Sequence, residues 1–207
     1  MPAIIDVLAG VNGAGKSSVI GEAIIRNGGE FYNPDKMAKL ILEKNPTSTL
    51  SDANSIAWEK GRQGIETALT NDDFFAFETT LGGNTITELL LKGIHEHNAE
   101  INLSYVGLIS VELHIERVKK RVASGGHDIP EEKIKQRYQT SRQNLIKLMP
   151  CLSTLYIYDN STETDSLPKP VKLLQMEERK IKHIVPLEQI PKWAKPLLTV
   201  ALKIDSK

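Results

Sequence analysis

The chain has 207 residues, with 26 Lys+Arg matched by 26 Asp+Glu, 40% hydrophobic residues and one cysteine. That length suits one domain with a real core, and no run of about eighteen apolar residues is present to cross a membrane as a helix. Cys151 alone excludes an internal disulfide and, with no basic-then-apolar leader in the first residues, points to a reducing cytosol.

Charge is unevenly spread. Residues 1–111 carry 8 Lys+Arg against 14 Asp+Glu, net −6; residues 112–147 carry 9 against 5, net +4; residues 169–207 carry 9 against 4, net +5. A positive middle segment suits a phosphate clamp, and the acidic first half disfavours a nucleic-acid groove.

In chain order, Ile4–Ala9 reads as a buried strand that runs straight into Gly10-Val11-Asn12-Gly13-Ala14-Gly15-Lys16-Ser17. Two glycines five apart, followed at once by Lys and Ser, have the spacing of a phosphate-binding P-loop. Successive backbone N–H groups there line an anion-sized hollow, Lys16 reaches the β- and γ-phosphates, and the Ser17 hydroxyl holds Mg²⁺. Ser18 stands next to it, and a helix from about Lys16, with Val19, Ile20, Ala23 and Ile24 on one face, adds its positive end. The spacing thus predicts binding of a nucleoside triphosphate through residues 10–18.

Gly28-Gly29 closes that helix, and residues 30–33 make a short second strand. Pro34 and Asp35 open a helix reaching about Lys44, and Ser51 or Asp52 caps a long one ending near Leu69. Residues 74–77 form a buried strand that stops at Glu78-Thr79-Thr80. A helix over Asn84–His97 follows, then the longest strand at 101–109. Next come a basic helix at 112–123, a Gly-Gly loop to Pro130, a helix over Glu131–Leu148 and a strand at 155–158 ending at Asp159-Asn160-Ser161. Residues 171–174 give a last strand, and Pro186, Pro191 and Pro196 limit the tail to short helical pieces. Strands alternating with helices predict an α/β three-layer sandwich with a mostly parallel sheet, in which the loops at the strands' carboxyl ends form the ligand crevice. Those loops are 10–17, 33–35, 78–83 and 159–161.

Four groups of residues there have chemistry to offer. Asp35, beside the P-loop, either takes the proton of an attacking hydroxyl or simply complements its helix terminus. Glu78 with Thr79 and Thr80 either orients a polyol substrate or caps the next helix. Arg117 and Arg121 share a helix face, and Arg137 and Arg142 lie beyond the Gly125-Gly126-His127 hinge. Two arginine pairs about a glycine hinge predict a lid over 117–142 that closes on the phosphates. His95 and His97 point to different helix faces and form no metal pair, and His114 and His183 stand alone.

Behind the P-loop, several motifs occur in order: Asn33-Pro34-Asp35, Phe77-Glu78-Thr79-Thr80, Arg117-Val118, Arg121-Val122 and Gly125-Gly126-His127-Asp128-Ile129-Pro130-Glu131-Glu132. Arg137-Tyr138, Ser141, Asn144-Leu145 and Tyr158-Asp159-Asn160-Ser161 complete the set. Together they resemble the zeta-toxin-like P-loop kinases, in particular a bacterial branch labelled predicted ATPases, over about residues 3–161. The resemblance implies one kinase-like domain across 1–207 with ATP and Mg²⁺ as cofactors and a small-molecule hydroxyl as acceptor. In the zeta toxins proper, that acceptor is UDP-N-acetylglucosamine. It also implies an antitoxin as partner, Lys16 and Ser17 on ATP and Mg²⁺, Asp35 as base, and Glu78 and Thr79 on the acceptor. Arg137 and either Arg121 or Arg117 become lid arginines, with Asn160 near the adenine. The Asn-Pro-Asp and Gly-Gly-His forms set the chain apart from the proven sugar kinases, so the acceptor is not carried over, and residues 169–207 lie outside the resemblance.

Rival readings also fit parts of the chain. Ser124-Gly125-Gly126-His127 imitates the signature loop of an ABC-type ATPase, and residues 155–159 imitate its Walker B strand, but Asn160 stands where that class needs a catalytic Glu. An ATP-binding switch without phosphotransfer is the other alternative, in which Asp35 is idle.

Overall fold

The computed structural model describes residues 1–17, 31–126, 128–162 and 170–206. Six strands form one sheet: β1 (Ile4–Ala9), β2 (Phe74–Thr79), β3 (Glu100–Gly107), β4 (Thr154–Asp159), β5 (Val171–Glu177) and β6 (Lys180–Ile184). Their order is β2-β1-β3-β4-β5-β6, with the first four parallel and the last two antiparallel. β1 therefore has a later strand on each side. The chain's crossovers diverge at its carboxyl end, which opens a crevice there. Ala9 pairs with Thr79 and with Tyr105, so the P-loop leaves the sheet directly beside Glu78-Thr79.

The described α-helices are α1 (Pro34–Lys44), α2 (Leu50–Asn71), α3 (Asn84–His97), α4 (Val111–Ala123), α5 (Glu131–Leu148) and α6 (Lys195–Asp205). One sheet face supplies Ile5, Val7, Ile101, Leu103, Leu155 and Ile157 to the main core, where they meet Ile65 of α2, Leu90 of α3, Leu145 and Leu148 of α5, and Leu197 of α6. A second, smaller cluster joins α1 to α2 through Ala38, Ala53 and Ala57. A third seats the α4–α5 hairpin on the P-loop through Val11, Val118 and Ile134.

Several expected elements differ in detail. The second strand shrinks to a single bridge between Tyr32 and Phe77. Thr49, rather than Ser51 or Asp52, caps α2, its Oγ1 accepting from the Asp52 N–H while the hydroxyl donates back to Oδ2. Pro196 sits at the first turn of an eleven-residue helix, where its missing N–H costs nothing. The tail is also no appendage: β5 extends to Glu177, β6 pairs with it, and Trp193 and α6 enter the main core. The helix expected after Lys16, the Gly28-Gly29 stop, Ser18 and His127 lie outside the described residues.

Candidate active site

The P-loop geometry follows from its glycines. Gly13 has φ +82°, and a Cβ there would lie 2.6 Å from the His114 carbonyl oxygen, so only glycine fits. Lys16 is 6% exposed, and its Nζ lies 3.3 Å from Glu78 Oε1. Glu78 Oε2 accepts from Ser17 Oγ at 2.6 Å and from Asn33 Nδ2 at 2.8 Å. Asn33 uses both ends of its amide, because its Oδ1 also accepts from the Lys36 N–H and caps α1. One carboxylate at the end of β2 thus gathers the P-loop lysine, the P-loop hydroxyl and the residue that starts the Asp35 helix.

Two buried side chains brace the loop from below. His114 is fully buried, and its Nδ1 lies 2.8 Å from the Asn12 carbonyl oxygen. A carbonyl only accepts, so Nδ1 carries the proton; Nε2 finds no hydrogen-bond partner among the described residues. Burial pushes the imidazole down to about 4, the bond to Asn12 opposing this, and Lys16, Arg117 and Arg142 add to the depression, so the ring is neutral at ordinary pH. Asn160, 2% exposed, donates from Nδ2 to the Ala14 carbonyl at 2.9 Å. This amide props the loop, a role beyond the expected nearness to adenine.

α5 forms the far wall. Arg137 donates from Nη1 to Asn12 Oδ1 at 2.8 Å. Burial pushes its guanidinium down from the ordinary value, and the Asp35 carboxylate, close enough to act on it, pulls the other way. One to two turns on, the same helix fastens the loop after β2. Thr140 Oγ1 donates to the Gly82 carbonyl at 2.8 Å, and Ser141 Oγ to that of Thr80 at 2.7 Å. Asn144 Nδ2 donates to the carbonyls of Leu81 and Gly83 at 3.0 and 3.1 Å. Tyr105 backs Ser141 at 3.1 Å, so its hydroxyl donates there, and burial pushes that phenol up to about 12.

The expected residues therefore divide. Lys16, Ser17, Glu78 and Asn12 with Arg137 are brought together, and exposed Asp35 lies within electrostatic reach of Arg137. Thr79 Oγ1 accepts from the Leu81 N–H at 3.0 Å, which ties it into its own turn. Arg121, in the last turn of α4, lays its stem against Gly126. Arg142 stacks 4.2 Å over the Tyr138 ring and reaches the Trp193 carbonyl at 3.4 Å, so it holds the carboxy-terminal segment rather than phosphate. Ser124-Gly125-Gly126 proves to be a helix C-cap, with Gly126 N–H donating to the Arg121 carbonyl. His114, set aside as isolated, was missed. Its signal was position: it is the fourth residue of a helix that opens at the crevice, one turn before buried Val118.

Fold and site together define a protein of the P-loop kinase fold, with the α4–α5 hairpin over the phosphate loop. No family model matches the chain. Solved structures do. A chain of the native AvrRxo1-ORF1:-ORF2 complex aligns with a TM-score of 0.65 at 12% identity, over 99% of this chain and 71% of that one. The same complex with ATP gives 0.60 at 11% identity over 97% of this chain, which spans only 64% of the matched chain's length. A chain from the PezAT chromosomal toxin-antitoxin system of Streptococcus pneumoniae gives 0.53 at 14% identity, over 99% and 86% of the two chains. These likenesses establish the fold of the zeta-toxin-like P-loop kinases. The chain belongs to one family with an uncharacterized protein of Haemophilus influenzae, 33% identical over 133 residues that make up 62% of this chain and 88% of that protein.

Proposed function

We propose that the protein is an ATP-dependent kinase that transfers the γ-phosphate to a hydroxyl of a small molecule, with a nucleotide sugar of the UDP-N-acetylglucosamine type as the first acceptor to test. The observation that carries this reading is the convergence of Lys16, Ser17 and Asn33 on Glu78, with Asp35 and Arg137 alongside. Asp35, in the first turn of the helix that Asn33 caps, is the second carboxylate that an acceptor hydroxyl needs as its base.

Hydroxyl and carboxylate oxygens are the hard donors Mg²⁺ takes, and it needs only one or two such groups besides phosphate oxygens, so Ser17 and Glu78 fit it. The contact with Ser17 supports giving Glu78 a share in the metal as well as in orienting the acceptor. When bound, Mg²⁺ supplies positive charge to the β- and γ-phosphate oxygens. Lys16 and Arg137 hold the same oxygens, joined by Arg121 or Arg117 from α4. Asp35 accepts the proton of the acceptor hydroxyl as that oxygen attacks the γ-phosphorus. The bond from phosphorus to the β–γ bridging oxygen breaks, and ADP leaves with those electrons. An antitoxin partner is part of the reading, supported by the toxin-antitoxin system and the two-protein complex among the matched structures.

The test is a screen of nucleotide sugars and other metabolites with γ-labelled ATP, using Asp35→Asn as the blank. The variant should bind ATP but transfer roughly 10²–10⁴-fold more slowly. Equal transfer by both proteins removes Asp35 as base, and hydrolysis by both with no labelled acceptor replaces the kinase with an ATPase.

A further inference from the structure

Asn12 occupies the third position of the P-loop and is 6% exposed, yet its side chain is turned toward the α4–α5 hairpin. Its backbone carbonyl is held by His114 Nδ1–H, and its Oδ1 accepts from Arg137 Nη1. Arg137 has little freedom other than at its guanidinium. Its Cγ packs on Gly82, where a Cβ would come within 2.6 Å. Thr140, Ser141 and Asn144 fasten the following turns of the same helix to four consecutive carbonyls of residues 80–83. Below, Val11 packs against Val118 and Ile134, so the hairpin is seated on the P-loop.

A second force acts on the guanidinium. Asp35 attracts it, and in the kinase reading Asp35 must stay free to take a proton. Asn12 offers a neutral acceptor on the phosphate side, which keeps the arginine from pairing with the base.

We propose that Asn12 is a positioning residue: its side-chain carbonyl holds Arg137 Nη1 beside the phosphate site, so that this bond is kept while the guanidinium's other N–H groups take the γ-phosphate. The proposal rests on the kinase reading, in which Arg137 contacts the γ-phosphate. It differs from the lid expected over 117–142 in placing the arginine by a bond to the phosphate loop itself. A neutral amide suits the role, since a carboxylate at the same point would repel the incoming phosphates.

The test compares affinities for ADP and for a non-hydrolysable ATP analogue, both with Mg²⁺, by calorimetry. The ratio of the two reports contacts to the γ-phosphate alone. Asn12 has no left-handed φ, so Asn12→Ala should fold; circular dichroism and the unfolding midpoint check this, and Asn12→Ser gives the same comparison if it does not. Asn12→Ala should cut the preference for the ATP analogue by roughly tenfold, the scale of ordering one long side chain that is no longer held in place. Arg137→Ala should do at least as much, and the double variant no more than Arg137→Ala alone, because both changes remove one coupled unit. If Arg137→Ala abolishes the preference and Asn12→Ala leaves it intact, the positioning role is overturned while the kinase reading stands. Equal weakening of both ligands by Asn12→Ala overturns it too, reducing Asn12 to a piece of loop architecture. A preference untouched by Arg137→Ala removes the arginine from the γ-phosphate, and the proposal goes with it.

Discussion

The two halves of the sheet do different work. In the half formed by β2, β1, β3 and β4, all strands run the same way, so their carboxyl ends bring the loops at Gly10, Glu78 and Asn160 to one edge. β5 and β6 run alternately and cannot gather loops at one edge. Their contribution is apolar: Leu174 and Met176 of β5, Trp193, and Leu197 of α6 all join the main core. Trp193 meets Gly107 so closely that a Cβ there would lie 2.3 Å from its ring, and Gly107 ends the strand beside the P-loop strand. The parallel strands thus carry the crevice as well as much of the core, the antiparallel pair carries core alone, and Trp193 joins them alongside the β4–β5 ladder.

The largest effect expected on that division is from Lys16→Ala. It should abolish ATP binding, measured by calorimetry, while circular dichroism and the unfolding midpoint change little, since the lysine meets Glu78 rather than the apolar core. Loss of the fold along with binding would show that the site half also carries stability. Trp193→Ala should do the reverse, destabilising the protein by about 3–5 kcal/mol in denaturant unfolding while ATP binds to whatever remains folded. A cost under about 1 kcal/mol would make the antiparallel half ornamental.

The smallest effect sharpens the comparison from within the site half. His114 is pushed down to about 4 from an ordinary 6.5. Above pH 6.5 it is neutral folded or unfolded, and no penalty arises. As pH falls from 6.5 toward 4 the unfolded chain takes up a proton that the native ring, faced by Lys16, Arg117 and Arg142, refuses, so native stability is lost across that window. The loss attributable to this ring is on the order of 3 kcal/mol. Unfolding midpoints of wild type and His114→Gln should diverge between pH 6.5 and 4, with the flatter line for the variant. Parallel lines would mean the ring titrates normally and is not sealed beneath the loop.

Much of this was legible in the residues. The bounds of α3 and α5 follow from apolar spacing, and the four crevice loops follow from strand polarity. What stayed hidden has physical reasons. The β5–β6 hairpin turns on Glu178 and Arg179, both with positive φ, so the glycine or asparagine that usually announces such a turn is missing. Thr49 outcompeted Ser51 and Asp52 as a cap because a reciprocal bond with Asp52 was available to it alone. His114 carried no motif, because a positioning bond to a backbone carbonyl demands nothing of the neighbouring sequence. Thr140, Ser141 and Asn144 share a helix face with Arg137, a pattern that reads equally well as solvated surface until the loop carbonyls they bind are seen.

The braces under the P-loop reach far along the sequence: Asn12 meets Arg137 across 125 positions, and Ala14 meets Asn160 across 146. A ribosome makes the phosphate loop more than a hundred residues before these supports. Contacts of such separation form slowly, because the entropy of closing a long loop is lost before any of them is gained. During synthesis the loop at 10–17 therefore stands without these two bonds until the later residues have emerged. Its bond to Asn160 forms only when β4 docks beside β3 and brings that residue under Ala14. The loop is thus finished by the last of its supports rather than by its own residues.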